Sequence, residues 1–342
     1  MNTSRNAHDR PAGPAGPAGR RPAARWGRVA TAISASALAA GVIAGPAAAV
    51  TTPVDISGNY AFQTVNDNKD TTFNQLLGIN NSGHIAGYFG SGADAQHPNR
   101  GFTISPSYQQ GNFKNENVNG AAQTQVIGLN NNGVSVGFWV DGKTANHGFY
   151  MRNGKFHTVD FPTTNNASPK VDQLLGVNDK NVAVGFYTDS QKTNHGFSYN
   201  IGSKTYKTIK VSGDSNVTAA GINNLGDVAG FADNGGGTTE AFVKRSDGKT
   251  YHLSFPGATM TQAFGINNGD EVAGAYTVGT GNSAVSHGFV WAPGFGFQTV
   301  NDPNGTDSTL INGVNDRGSL VGFYTDTQGN TDGFVAKSSL GL

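Results

Sequence analysis

The chain contains no cysteine. That absence excludes disulfides, thiolate metal sites, thiol catalysis and lipid anchoring through cysteine. A large core manages without covalent staples, so an oxidising compartment stays compatible. Charge is sparse as well, at 13% of 342 residues, and glutamate occurs only three times. A catalytic carboxylate pair would therefore rely mainly on aspartate. There is no zincin motif, and without a helical period beyond the leader no Gly-x-Ser-x-Gly or Gly-Lys-Thr stretch has the strand–turn–helix context of a nucleophile elbow or a P-loop. No apolar run follows residue 300, which argues against a C-terminal anchor. Beyond the first 49 residues no window has a convincing helical period.

Glycine is abundant, with 49 residues, and aromatics make up 10%. This is a globular β profile rich in tight turns, without the composition of disorder. Residues 1–28 are rich in Arg and Pro, residues 29–45 are small and apolar, and Pro46-Ala47-Ala48-Ala49 follows. The order reads as a signal peptide, residues 1–49, ahead of a domain spanning 50–342. An uncleaved membrane anchor is the alternative, and the export route stays open. The six arginines of that leader stand against Asp9 alone, so the remainder carries 17 basic and 22 acidic residues. A mildly acidic body without a basic cluster argues against nucleic acid and anionic membrane as partners.

Self-similarity dominates the rest. The phrase Gly-(Ile/Leu/Val)-Asn-(Asn/Asp) starts at Gly78, Gly128, Gly176, Gly221, Gly265 and Gly313. A second glycine follows nine positions later each time: Gly87, Gly137, Gly185, Gly230, Gly274 and Gly322. Between them stand Gly83, Gly133, Asn181, Gly226, Asp270 and Gly318, the residue types that best tolerate positive φ. Each copy thus opens with a hairpin of strands a and b. A polar loop, a Gly-Phe strand c, a tight turn and an alternating strand d such as Phe156-His-Thr-Val-Asp-Phe161 complete it.

The last copy ends after strand c at Phe334-Val335, without a strand d. A spare one precedes the first copy: Tyr60-Ala-Phe62-Gln-Thr-Val65-Asn-Asp67 matches Gly296-Phe297-Gln-Thr-Val300-Asn-Asp302. The expected fold is all-β: a six-bladed β-propeller of four-stranded antiparallel blades, closed by the N-terminal strand completing the last blade. An open solenoid would need atypical capping repeats. The a–b and c–d turns then fall on one face. The longer b–c and d–a loops fall on the other, where binding usually sits.

The stretch from Gly128 to Pro162, GLNNNGVSVGFWVDGKTANHGFYMRNGKFHTVDFP, resembles the HAF-type extracellular repeat, as do its counterparts across residues 60–336. The resemblance implies an extracellular bacterial protein of β repeats and supplies no catalytic residue or ligand. Copies depart from the pattern: Arg100-Gly101-Phe102 with His97 displaced, Glu240-Ala241-Phe242 and Asp332-Gly333-Phe334 replace His-Gly-Phe.

His147, His195 and His287 occupy equivalent positions at the end of the b–c loop. Together with Trp139, Tyr187 and Asp332 they form the candidate ligand-binding set. The bland alternatives are histidines bonding loop carbonyls and aromatics packing between blades, the latter especially for Phe138. Ligands for one metal must converge, and equivalent positions in separate blades do not, so no metal is expected. The loop Asp326–Gly333 loosely resembles a calcium loop but lacks a terminal bidentate Glu, and an Asx-rich turn explains it better. Asn80, Asn130, Asn178, Asn223, Asn267 and Asn315 end strand a in every copy; local turn capping accounts for them better than a polar ring does.

The expectation is a secreted monomeric binding module for extracellular carbohydrate or a cell-surface protein, not an enzyme, without cofactor and without a membrane span after signal cleavage. The alternative is a secreted lyase or hydrolase with a composite axial active site. Converging His, Asp and Glu in a deep axial pocket would favour that alternative.

Overall fold

The computed structural model describes residues 53–306 and 308–339. The expected leader, residues 1–49, lies outside the described residues. Two strands come first, β1 (Val54–Asp55) and β2 (Tyr60–Thr64). The first repeat forms β3 (Asn74–Ile79), β4 (Ile85–Phe89), β5 (Arg100–Ile104) and β6 (Phe113–Asn115). The second forms β7 (Gln123–Leu129), β8 (Ser135–Val140), β9 (Asn146–Arg152) and β10 (Lys155–Val159). The third forms β11 (Asp172–Val177), β12 (Val182–Thr188), β13 (Asn194–Asn200) and β14 (Thr205–Thr208). The fourth forms β15 (Ser215–Ile222), β16 (Val228–Asp233), β17 (Thr239–Lys244) and β18 (Thr250–Leu253). The fifth forms β19 (Met260–Ile266), β20 (Val272–Val278), β21 (Val285–Ala292) and β22 (Gly296–Thr299). The sixth forms β23 (Ser308–Val314), β24 (Leu320–Thr325) and β25 (Thr331–Ser338).

The protein is an all-β propeller with four-stranded antiparallel blades. The sequence predicts six separate blades, but only the first four repeats stand as separate four-stranded sheets. The remaining strands share one nine-stranded sheet. The cause is local: a single parallel bridge, Ser286 with Ser308, joins β21 to β23. Within that sheet β2 runs antiparallel to β25, from Tyr60 opposite Ser338 to Thr64 opposite Phe334. β1 runs parallel to β22.

The a–b turns follow the residue pattern. Gly83, Gly133, Asn181, Gly226, Asp270 and Gly318 all have positive φ, between 56° and 89°. The b–c connections differ from expectation. In four repeats they are compact hairpins, not long loops. Asp141, Asp189, Asn234 and Asp326 each accept two backbone N–H bonds through Oδ1, from the residues two and four positions on. Such side-chain caps substitute for a longer loop.

Packing explains the glycine of strand b. Opposite it in register lies the Phe of strand c, as Gly185 faces Phe197 and Gly137 faces Phe149. The six phenylalanines Phe102, Phe149, Phe197, Phe242, Phe289 and Phe334 are at most 1% exposed. A Cβ on Gly185 would stand 1.9 Å from the Gln173 carbonyl oxygen, closer than any atom pair permits. Strand a bulges at the repeat glycine in all six copies. A bulge re-aims the side chains around it, and here three successive residues reach the axis.

The asparagines that end strand a do more than cap. Asn80 Oδ1 accepts the Ser82 and His84 N–H groups, as local capping predicts. Its Nδ2 donates to the Asn130 carbonyl in the next repeat. The bonds continue from Asn130 to Asn178, Asn223, Asn267 and Asn315, and Asn315 donates back to Asn80. The polar ring set aside on sequence grounds therefore exists, and it carries the caps as well.

Replacing Gly185 with Ala is expected to cost roughly 3 kcal/mol or more through overpacking against fixed backbone. Gly142, around which a Cβ meets nothing within 4 Å, should tolerate Ala within about 0.5 kcal/mol. Urea unfolding of both variants measures the contrast.

Candidate functional site

In four repeats a pair of side chains faces across strands b and c near the b–c turn. In the second repeat Trp139 pairs across the strands with His147, and their rings stack at 4.6 Å. In the third, Tyr187 pairs with His195 at 4.9 Å. In the fifth, Tyr276 faces His287, and in the sixth Tyr324 faces Asp332. The predicted residues thus form repeated aromatic–polar pairs, each in its own repeat. The structure does not gather them at one point.

The histidines do not bond backbone carbonyls, as the bland alternative had it. His147 Nδ1 lies 2.9 Å from Asp160 Oδ2, and His195 Nε2 lies 2.9 Å from Asp189 Oδ2. His287 Nδ1 lies 3.2 Å from Asn301 Nδ2. Burial pushes the Asp189 carboxyl up, but bonds from His195 and the backbone of Thr193 and Gln191 outweigh it and hold it below the usual range. Asp332 accepts from Asn66 Nδ2 at 2.6 Å, and burial raises its pKa. Phe138 is buried and lines the axial cavity.

Two neutral positions are repeated at the blade junctions. In most repeats a residue at the start of strand a accepts a backbone N–H from the preceding d–a connection. Asn74 accepts from Asp67, Thr124 from Val118, Thr261 from Phe255 and Thr309 from Asp302. A residue just past strand d accepts the N–H of the strand-c glycine: Asn66 from Gly333, Asn117 from Gly101 and Asn301 from Gly288. Neutral acceptors suffice for both tasks.

Between the second and third repeats both positions are acids. Asp172 accepts the Phe161 N–H through Oδ1 at 2.7 Å. Its Oδ2 has no hydrogen-bond partner, with Lys170 Nζ at 3.5 Å. Asp160 binds His147 and lies 3.1 Å from Lys170 Nζ through Oδ2, while its buried Oδ1 has no partner. Trp139, stacked on His147, has a buried Nε1 that is also unpartnered. Asp172 is fully buried, and burial raises its pKa to about 6, with Asp160 adding repulsion and the Phe161 N–H and Lys170 opposing it. Phe161 stacks on Tyr187 at 4.5 Å and extends the aromatic surface into the third repeat.

This junction brings together Trp139, His147 and Tyr187 of the predicted set, with His195 stacked on Tyr187, and leaves His287 and Asp332 elsewhere. Sequence reasoning missed Asp160, Lys170 and Asp172. Their signal was available in the aligned copies, as acids at positions that other repeats fill with Asn or Thr. The junction offers carboxylate acceptors, ammonium and indole donors and flat apolar faces. Among the described residues no group of three or more His, Cys, Asp or Glu side chains is placed to hold a metal ion, and no helix is long and apolar enough to cross a membrane.

Because its folded pKa lies above the ordinary value, Asp172 keeps a proton in the fold that the unfolded chain releases near pH 4. Its contribution is full below pH 4 and is lost as pH rises through 6. Asp172→Asn should therefore match the parent near pH 4 and exceed its stability at pH 7.5, on the order of 3 kcal/mol. Denaturant midpoints at the two pH values decide it; an equal offset at both would contradict the assignment.

No family model matches the chain, and no curated protein matches it. Among solved structures it is similar to a protein assigned as TolB from Agrobacterium tumefaciens. That likeness has a TM-score of 0.54 and 9% identity, over 81% of this chain and 97% of that one. It is similar to the SapL1 lectin in complex with alpha methyl fucoside, with a TM-score of 0.50 and 12% identity over 79% of this chain and 95% of that one. A gluconolactonase from Xanthomonas campestris has a TM-score of 0.48 and 11% identity over 86% of this chain and 98% of that one. At these identities the first two likenesses show the propeller fold alone.

Proposed function

We propose that the chain is a secreted, HAF-like, monomeric six-bladed propeller that binds extracellular carbohydrate at the junction of its second and third repeats. The nine-stranded sheet then counts as two blades, β19–β22 and β23–β25 with β2. Antiparallel pairing within each group and the hydrogen-bonded return from Asn315 to Asn80 support this count and closure by β2.

One observation carries the binding reading. Only at this junction do both repeated acceptor positions become carboxylates, and each keeps an oxygen without a hydrogen-bond partner. Burying a charge that the fold does not need is costly. A ligand with several hydroxyl donors reaches the partly exposed Asp160 carboxylate, and its apolar ring face stacks on Trp139 or Tyr187. That a lectin shares the fold accords with this use.

Binding is favoured over an axial active site because no His, Asp or Glu lines the main axial cavity. Asp179 and Asp316, at its adjoining polar mouth, are engaged by the amides of neighbouring asparagines.

The test is a glycan and polysaccharide array probed with the full chain, with and without calcium. Binding to at least one glycan class is expected. Trp139→Ala and Asp160→Asn should each weaken it at least about tenfold, as loss of an aromatic anchor or a charged hydrogen bond does. Silence across the array, or binding indifferent to both substitutions, would sink the reading.

A further inference from the structure

The axial cavity is a separate feature with different chemistry. It encloses about 990 Å³, open mouth included. The bulge in each strand a places the residue before the repeat glycine, the glycine and the residue after it on the wall, as with Leu77, Gly78 and Ile79. Phe138, Phe186 and Phe231 from strands b, with Phe264 from a strand a, line one part with aromatic rings. Phe231 and Phe264 meet edge to face at 6.1 Å.

One wall position breaks the pattern. Before the repeat glycine the copies carry Leu77, Ile127, Leu175, Ala220, Phe264 and Asn312. Five are apolar and the sixth is a carboxamide. Asn312 Oδ1 is buried and makes no hydrogen bond. Native folds rarely leave such an acceptor unsatisfied, and the exceptions call for an explanation. The fold does not need this amide, because an apolar side chain fills the same place five times. The terminal torsion of Asn is broad and roughly two-fold, which lets the amide oxygen and nitrogen exchange places.

We propose that the axial cavity binds a planar aromatic compound carrying a single hydroxyl or N–H donor, its rings among the phenylalanines and its donor on Asn312. Small-molecule sites are mostly apolar with a few placed polar groups. Aromatic rings favour offset and edge-to-face contacts with one another. Carbohydrate is the wrong class here, since besides Asn312 the wall offers only the Gln173 carboxamide, whose Nε2 already donates to Asn146, too few polar partners for a ring of hydroxyls. The proposal is independent of the junction site, which lies on different side chains.

The full chain is titrated with 2-naphthol and with 2-methylnaphthalene, a near-isostere without a donor, following probe fluorescence. The unsubstituted protein should bind 2-naphthol about fivefold more tightly, the ratio expected from one hydrogen bond of ordinary net strength. Asn312→Leu should bind the two probes equally. Ala220→Phe, which fills the cavity at its smallest non-glycine wall residue, should weaken both at least about tenfold, with circular dichroism melting confirming the fold. The Asn312→Leu ratio remains decisive even if Ala220→Phe does not fold. No binding of either probe, equal binding by the unsubstituted protein, a preference that survives Asn312→Leu, or undiminished binding by folded Ala220→Phe would each overturn the proposal.

Discussion

Everything in this molecule is hung on a hydrogen-bonded circuit at the axis. Each strand-a asparagine holds its own turn with Oδ1 and the next repeat with Nδ2. Its neighbour in sequence adds a second circuit. Asn131 Oδ1 accepts the Asn81 N–H, Asp179 Oδ1 accepts the Asn131 N–H, and the series returns from Asp316 to Asn81. The two acids sit three repeats apart, and each takes amide protons from both flanking asparagines through Oδ2. Four donors thus meet two shared acceptors, a balance that six asparagines would lack. Buried polar networks stabilise only when every member is satisfied, and this one fixes how the repeats meet.

The architecture was legible because its devices are backbone requirements with few permitted residues. The left-handed turn position admits Gly, Asn or Asp, and all six copies comply. The strand-b glycine leaves room for a specific phenylalanine, so the pair recurs together. The extent of the b–c loops was not legible. Asp141 or Asp189 looks like any polar loop residue until its carboxylate is seen closing a five-residue hairpin. The fusion of two sheets was equally hidden, since one serine bridge leaves no compositional trace.

The candidate site was half legible. The aromatic–histidine pairs stand out because they repeat, whereas Asp160 and Asp172 matter because they do not. In a repeat protein the shared residues describe the scaffold. Chemistry appears where a copy abandons a residue that already satisfies the fold. Asp172 and Asn312 are both departures of this kind, one introducing charge at a neutral clasp and the other polarity at an apolar wall.

The pairing of β2 with β25 bears on how the molecule is made. Its residues meet across enormous sequence separation, as Thr64 opposite Phe334 shows, 270 residues apart. Joining such distant segments carries a large loop entropy, so it follows the local hairpins in time. A nascent chain therefore holds most of its sheets before the seam can form. During that interval the free edge of β25, complete in its main-chain donors and acceptors, is open to any extended segment that reaches it before β2 does.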